Sequence, residues 1–218
     1  MKRILYAVLL LLGMSIMASC EKEEGKASIN DIEGRWYTAV KWERLLNGTA
    51  VYSSTDFDEA TYPIHNVSRV MFQNGNVNVV DTYGDSRVWP YTYFEGALTV
   101  FGEEFKVVKA TKQELIGDSS FGSANCDERY KVKLTTFKGV DIYYEYQMES
   151  SKWIISGFYY YDKQGKPMFC YFENDRNLKE PFEIEEVYDE TLKAYVDRIT
   201  RVNVDYWFDT DRIYLRAE

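Results

Sequence analysis

Through most of the chain, apolar side chains recur at every second position. In the stretch opening with Ile32-Glu33-Gly34-Arg35-Trp36, one face carries Trp36, Thr38, Val40 and Trp42, and the other carries Tyr37, Lys41 and Glu43. A period of two is that of a β-strand with one buried face. Asn47-Gly48 follows, a pair suited to a tight hairpin because both central turn positions require positive φ. Thr49 to Tyr52 returns as the second strand. Ser53 to Pro63 is polar, acidic and turn-rich, and reads as a long loop.

From Val67 the strands come quickly. Val67 to Gln73, Val77 to Tyr83, Val88 to Phe94, Ala97 to Phe101, Phe105 to Ala110 and Glu114 to Ile116 are separated by short turns rich in Asn, Gly and Asp. Tight turns make neighbouring strands antiparallel. Gly117 to Asp127 is Ser- and Gly-rich and reads as a surface loop containing Cys126. Alternation resumes in Tyr130, Val132 and Leu134, then in Ile142, Tyr144, Tyr146 and Met148. Trp153 to Tyr161 and Met168 to Phe172 form a hairpin around Asp162-Lys163-Gln164-Gly165. An uninterrupted meander of this length predicts an all-β fold, an antiparallel up-and-down barrel, since closure removes the exposed strand edges.

Beyond Glu173 two readings compete. Asp189 can cap a short C-terminal helix in which Leu192, Tyr195, Val196 and Ile199 fall on one stripe, or Val187-Tyr188 and Tyr195-Val196 can flank a hairpin turn. Val202 to Phe208 and Ile213 to Leu215 are the final strands.

The first twenty residues follow a different pattern. Lys2 and Arg3 precede an apolar run from Ile4 to Leu12, too short to cross a ~30 Å hydrocarbon layer as a helix. Met17-Ala18-Ser19-Cys20 resembles the lipobox of bacterial lipoproteins. That resemblance implies a signal peptide over residues 1–19, a lipidated tether over 20–31 beginning at Cys20, and one barrel domain over 32–218. Several acyl chains, at ~0.8 kcal/mol for each buried methylene, make attachment effectively permanent. Lys22-Glu23-Glu24 resembles the export signal of Bacteroidota-type lipoproteins, which implies the outer face of the outer membrane. As a charge pattern alone it is equally a hydrated linker.

Composition narrows the function classes. Residues 1–19 carry two basic and no acidic side chains, so their removal takes the formal net charge from −9 to −11. An acidic surplus of this size speaks against nucleic acid as a partner. Aromatic residues make up 17% of the chain, and the 19 tyrosines among them suit a pleated, half-buried surface.

Gly34-Arg35-Trp36 at the first strand is similar to the Gly-x-Trp signature of the lipocalins, and Phe94-Glu95-Gly96-Ala97-Leu98-Thr99-Val100 resembles a mid-barrel hairpin of the same calycin superfamily. The resemblance runs from about Ile32 to about Ile116 and, with the lipobox, points to lipocalin-like lipoproteins of Bacteroidota. It implies a barrel plugged at its narrow end by Trp36, with Arg212 or Arg216 packed over that ring. It further implies a ligand held at the open end, a small apolar or amphipathic molecule or a sugar. Trp42, Tyr144 and Tyr146 are large enough to line such a cup or to fill it. A filled barrel docking onto another envelope protein is the alternative partner reading.

Catalytic chemistry is sparse. His65 is the only histidine, no nucleophile-elbow pattern accompanies it, and neither zinc-ligand spacing nor a phosphate-binding glycine loop occurs. The expectation is therefore a protein that is not an enzyme and carries no metal or cofactor. A carboxylate-dependent hydrolase ranks last, because chain spacing says nothing of carboxyl separation. Glu183, Glu185, Glu186, Asp189 and Glu190 form the densest acidic run, and Asp209-x-Asp211 is a smaller pair. Sugar rings stack on flat aromatic faces, which makes Trp89, Tyr91, Tyr93 and Tyr159-Tyr160-Tyr161 candidate platforms. Cys126 and Cys170 either form one disulfide in an oxidising compartment or remain free thiols. Cys20→Ala is expected to abolish membrane attachment while leaving the fold intact; a variant still in the membrane fraction after carbonate washing refutes the lipobox.

Overall fold

Val40 interrupts the alternation of the first strand and so decides which rings enter the core. The computed structural model describes residues 28–57, 67–100, 102–120, 122–173, 182–202 and 206–218. The expected signal peptide, Cys20 and His65 lie outside them. In β1 (Trp36–Leu46) the pairing register shifts between Ala39 and Lys41, leaving Val40 as the extra residue of a bulge. A bulge moves every later side chain to the opposite face. Tyr37, Ala39 and Trp42 are consequently all buried on the inner side. Trp36 lies opposite Met71 on the outer side, while Tyr37 lies opposite the buried Val70.

The barrel closes on the last strand of the chain rather than along the predicted meander. β1 is followed in the ring by β3 (Val67–Gln73), β4 (Asn76–Asp81), β5 (Ser86–Phe94), β6 (Ala97–Val100), β7 (Glu103–Ala110) and β8 (Glu114–Ser120), each antiparallel to its neighbour. β17 (Thr210–Ala217) then pairs with β8 on one edge and β1 on the other, completing eight strands. β2 (Thr49–Ser54) adds to the far half of β1 across the predicted Asn47-Gly48 turn, where φ is 49° and 76°. Gly117, expected in a loop, lies inside β8.

The described residues from 122 to 209 leave the ring between β8 and β17. They form a four-stranded sheet of β9 (Lys131–Phe137), β10 (Val140–Glu149), β11 (Lys152–Tyr161) and β12 (Pro167–Phe169). Two small pairs join it, β13 (Tyr171–Glu173) with β16 (Tyr206–Phe208), and β14 (Phe182–Asp189) with β15 (Ala194–Val202). Alternation cannot distinguish a barrel strand from one in a neighbouring sheet, because both have one buried face. The C-terminal choice resolves as the hairpin: Val187 pairs with Val196, and Asp189 Oδ1 accepts from the amides of Thr191 (2.8 Å) and Leu192 (3.1 Å) in the turn. At the other end of the chain, Ile29–Ile32 forms a single helical turn, α1, within the stretch expected to be tether, and Ile32 is buried in the barrel core.

β1 belongs to both parts. Its early residues Tyr37 and Trp42 pack in the barrel, whereas Leu46 is buried with Ile142, Tyr160, Cys170 and Trp207 in the second unit. Asp209, just before β17, anchors the crossing. Its amide donates to Leu45 O at 2.9 Å, and its Oδ2 accepts from the Asn47 amide at 3.3 Å and from the Tyr160 hydroxyl. The other carboxyl oxygen is buried without a partner.

Burial pushes the Asp209 carboxyl above the usual range, against the lowering effect of its hydrogen bond from Tyr160. The folded state therefore holds this proton more tightly than the unfolded chain does, and the charge opposes folding at neutral pH, less so as pH falls. Asp209→Asn is expected to raise Tm at neutral pH, with the gain shrinking in acid; a gain independent of pH in a calorimetric series contradicts this. Tyr160→Phe is expected to cost about 1.5–3 kcal/mol by removing a donor from a buried charge, measured by urea unfolding.

Candidate functional site

The barrel is closed at the end that carries α1. There Tyr37 donates its hydroxyl to Asp31 O (3.2 Å) and Thr111 O (3.0 Å), tying the helical turn to the β7–β8 connection. Tyr91 donates to Glu33 Oε1 at 2.7 Å and meets Phe72 edge-on at 5.2 Å. Burial raises the pKa of both phenols, so they remain donors at any physiological pH.

Above this floor the lumen holds a cavity of about 70 Å³ with almost wholly apolar walls, among them Val70 and Phe72 of β3, Leu98 and Val100 of β6, Phe105 of β7 and Ile213 of β17. It is smaller than the ~150 Å³ engineered cavity that takes up benzene, so it suits the end of an apolar group. Gly117 lines it as well, and a Cβ built there would meet nothing nearer than Phe105 Cβ at 3.8 Å. Part of the space thus exists because β8 lacks a side chain at this point.

Polar groups gather toward the opposite end. Arg44 lies opposite Asp211 and on the same face as Trp42, with Nε 3.6 Å from Asp211 Oδ1 and both side chains about nine-tenths buried. The Arg44 guanidinium lies over the rings of Phe208 (4.6 Å) and Trp42 (5.2 Å). Trp42 donates its indole N–H to Asp56 O at 2.7 Å and packs against Tyr52 at 5.0 Å. On β5, Trp89 and Arg87 lie opposite the buried Val77 and Val79, hence on the lumen side, yet both are exposed. Facing partners share one side of a sheet, which puts both on the inner face of β5.

The structure does not bring the three expected cup residues together. Trp42 lies in the barrel, whereas Tyr144 and Tyr146 are buried in the core of the second unit. There Tyr146 donates to Asp197 O at 2.6 Å and lies 3.5 Å from the Tyr144 hydroxyl. Trp36 is not the plug, because its side chain faces outward under the Arg69 guanidinium at 4.8 Å; Ile32 and Tyr37 fill that end. Neither expected arginine packs over it: Arg212 makes a bidentate pair with Asp118 (2.6 and 2.7 Å), and Arg216 is exposed.

Cys126 and Cys170 are unbridged. Cys126 Sγ lies 3.3 Å from the Tyr161 hydroxyl, and Cys170 is buried beside Asp209, burial pushing its thiol up. Asp209 and Asp211 turn to different partners, Tyr160 and Arg44, and do not converge on a cation site. Among the described residues no group of three or more His, Cys, Asp or Glu is placed to hold a metal.

The tyrosine run is no open platform: Tyr159 and Tyr160 are both buried on opposite faces of β11. A second cleft, of about 240 Å³, lies where β13 diverges from β11, between Ser156, Gly157, Phe169 and Tyr171. Sequence alternation marked the lumen strands but not Gly117 or the Arg44–Asp211 pair, whose meeting depends on strands far apart in the chain.

Among the described residues, no helix is long and apolar enough to cross a membrane. No protein family, curated protein or solved structure matches the chain, so its reading rests on its own residues and geometry.

Proposed function

We propose that this protein is a non-enzymatic, lipid-anchored binding protein of the outer membrane. It seats the apolar end of a small amphipathic molecule in the barrel and leaves the polar part at the mouth. The observation that carries the reading is the apolar cavity in the barrel lumen, on the inner side of the floor that Ile32 of α1 helps to fill. Its walls bear no group able to take or give a proton, which supports binding over catalysis.

A second reading places a sugar in the cleft beside β11. The larger volume of about 240 Å³ and a Tyr171 ring that is 44% exposed favour it. Tyr171→Ala is expected to abolish any retention on a glycan array, with barrel binding unaffected.

For the leading reading, native mass spectrometry of the full lipidated protein, purified from its own envelope, is expected to show a co-purified amphipathic mass. Gly117→Leu fills the cavity and is expected to abolish both that mass and binding of a naphthylamine fluorescent probe. Gly117→Ala controls for backbone effects and is expected to stabilise the protein by about 0.5–1 kcal/mol, since glycine weakens a strand interior. Undiminished probe binding by Gly117→Leu would place the ligand elsewhere.

A further inference from the structure

The closed end of the barrel carries an apolar pair that core packing does not explain. Phe94, at the β5–β6 turn, is 74% exposed, and Val108, the extra residue of a bulge in β7, is 40% exposed. The two segments are held together, because the Val107 amide donates to Gly96 O at 2.7 Å. Scattered exposed apolar residues are ordinary, whereas adjacent ones on a functional end are informative.

Cations lie at the same end. Arg35 Nη1 donates to Lys112 O at 2.9 Å, which brings two positive side chains to the β7–β8 turn. Lys109 is also there, paired with Glu114 at 2.7 Å, and Glu95 is the exposed carboxylate next to Phe94. The acid-rich β14–β15 hairpin, with Glu183, Glu185, Glu186 and Glu190, belongs instead to the unit that leaves the barrel at the opposite end.

The position of the chain's start supplies the occupant. The described structure begins at Ser28, beside α1, and Cys20 stands eight residues earlier. Eight residues span at most about 29 Å. A lipid on Cys20 therefore holds the α1 end within that distance of the bilayer, while the β4–β5 turn, which carries Tyr83, lies at the other end of the barrel.

From this arrangement we infer that the α1 end rests on a phospholipid surface, with Phe94 and Val108 in the headgroup layer and Arg35 and Lys112 beside phosphates. The inference rests on the lipid anchor at Cys20. It orients the ligand mouth away from the membrane, toward solutes or neighbouring proteins. Apolar insertion beside cationic side chains is the usual physical basis of interfacial contact.

Photoreactive benzoylphenylalanine replacing Phe94 or, separately, Tyr83 tests this in the full lipidated protein on vesicles of phosphatidylethanolamine and phosphatidylglycerol. Irradiation is expected to yield phospholipid adducts at position 94 several-fold above those at 83. Equal yields, adducts mainly at 83, or none at either position overturn the orientation. Lys112→Glu is expected to lower the yield at 94 more on these anionic vesicles than on zwitterionic phosphatidylcholine; an equal effect on the two surfaces overturns the attraction of these cations to anionic headgroups. Intact-mass measurement separates the two claims: a protein without acyl mass refutes the anchor, whereas an acylated protein without adducts at 94 refutes only the orientation.

Discussion

The ladder between the first and last long strands is the constraint on which the remainder depends. β1 and β17 pair from Tyr37 opposite Ala217 to Leu45 opposite Thr210. Without that pairing, β1 and β8 would each present an open edge, and the ring would be a curled sheet exposed to edge-to-edge association. The same register sets Ile213 opposite Trp42 in the lumen and Asp211 opposite Arg44 above it. On the outer face it aligns Glu43, Arg212 and Asp118, and lets Tyr214 reach Glu43 at 2.5 Å. Closure is held by backbone hydrogen bonds, by the apolar residues facing inward and by the partly buried bidentate Arg212–Asp118 pair.

Inserting residues 122–209 between β8 and β17 makes that closure a long-range event. The final strand is separated from β8 by the whole second unit, so its pairing carries the loop-closure entropy of a non-local contact. Asp209 and Leu46 occupy that junction from opposite ends of the sequence, and Tyr160 joins them from the inserted unit. A buried carboxylate is a costly way to join two cores, yet it directs the connection: an apolar residue would offer no acceptor to the Asn47 amide or the Tyr160 hydroxyl. The tyrosine richness has a related cause. Tyr37, Tyr91, Tyr146 and Tyr160 each bury a ring and direct the hydroxyl to a backbone carbonyl or a carboxylate, serving as packing and polar partner together.

The lumen joins stability to the proposed function. Trp42, Tyr37 and Phe72 fill most of it, while the missing side chain at Gly117 leaves space beside Phe105. Packing on all other sides and a gap at one residue produce a slot shaped for the end of a molecule. The closed floor and the polar rim then give that slot a direction, which the proposed lipid anchor on the floor side relates to a membrane.

Much of this was legible from local pattern. Period-two alternation made the chain all-β, the Asn47-Gly48 dipeptide located the first hairpin, and the short turns from Asn74 to Gly102 ordered five barrel strands, because each of these signals acts within a few residues. Which strands share a sheet was not local. β9 to β12 alternate just as the barrel strands do, and only the return of β17 to β1 excludes them from the ring. The candidate site suffered in the same way: a single bulge at Val40 exchanged the faces of Trp36 and Tyr37, and Tyr144 and Tyr146 went to a different core from Trp42. By itself the sequence determined strand content, turn positions, charge and the lipobox-like start, since these follow from side-chain chemistry and short-range sterics. Register, closure and the empty space at Gly117 were decided only by the tertiary structure, because each depends on residues more than a hundred positions apart meeting across one shared interior.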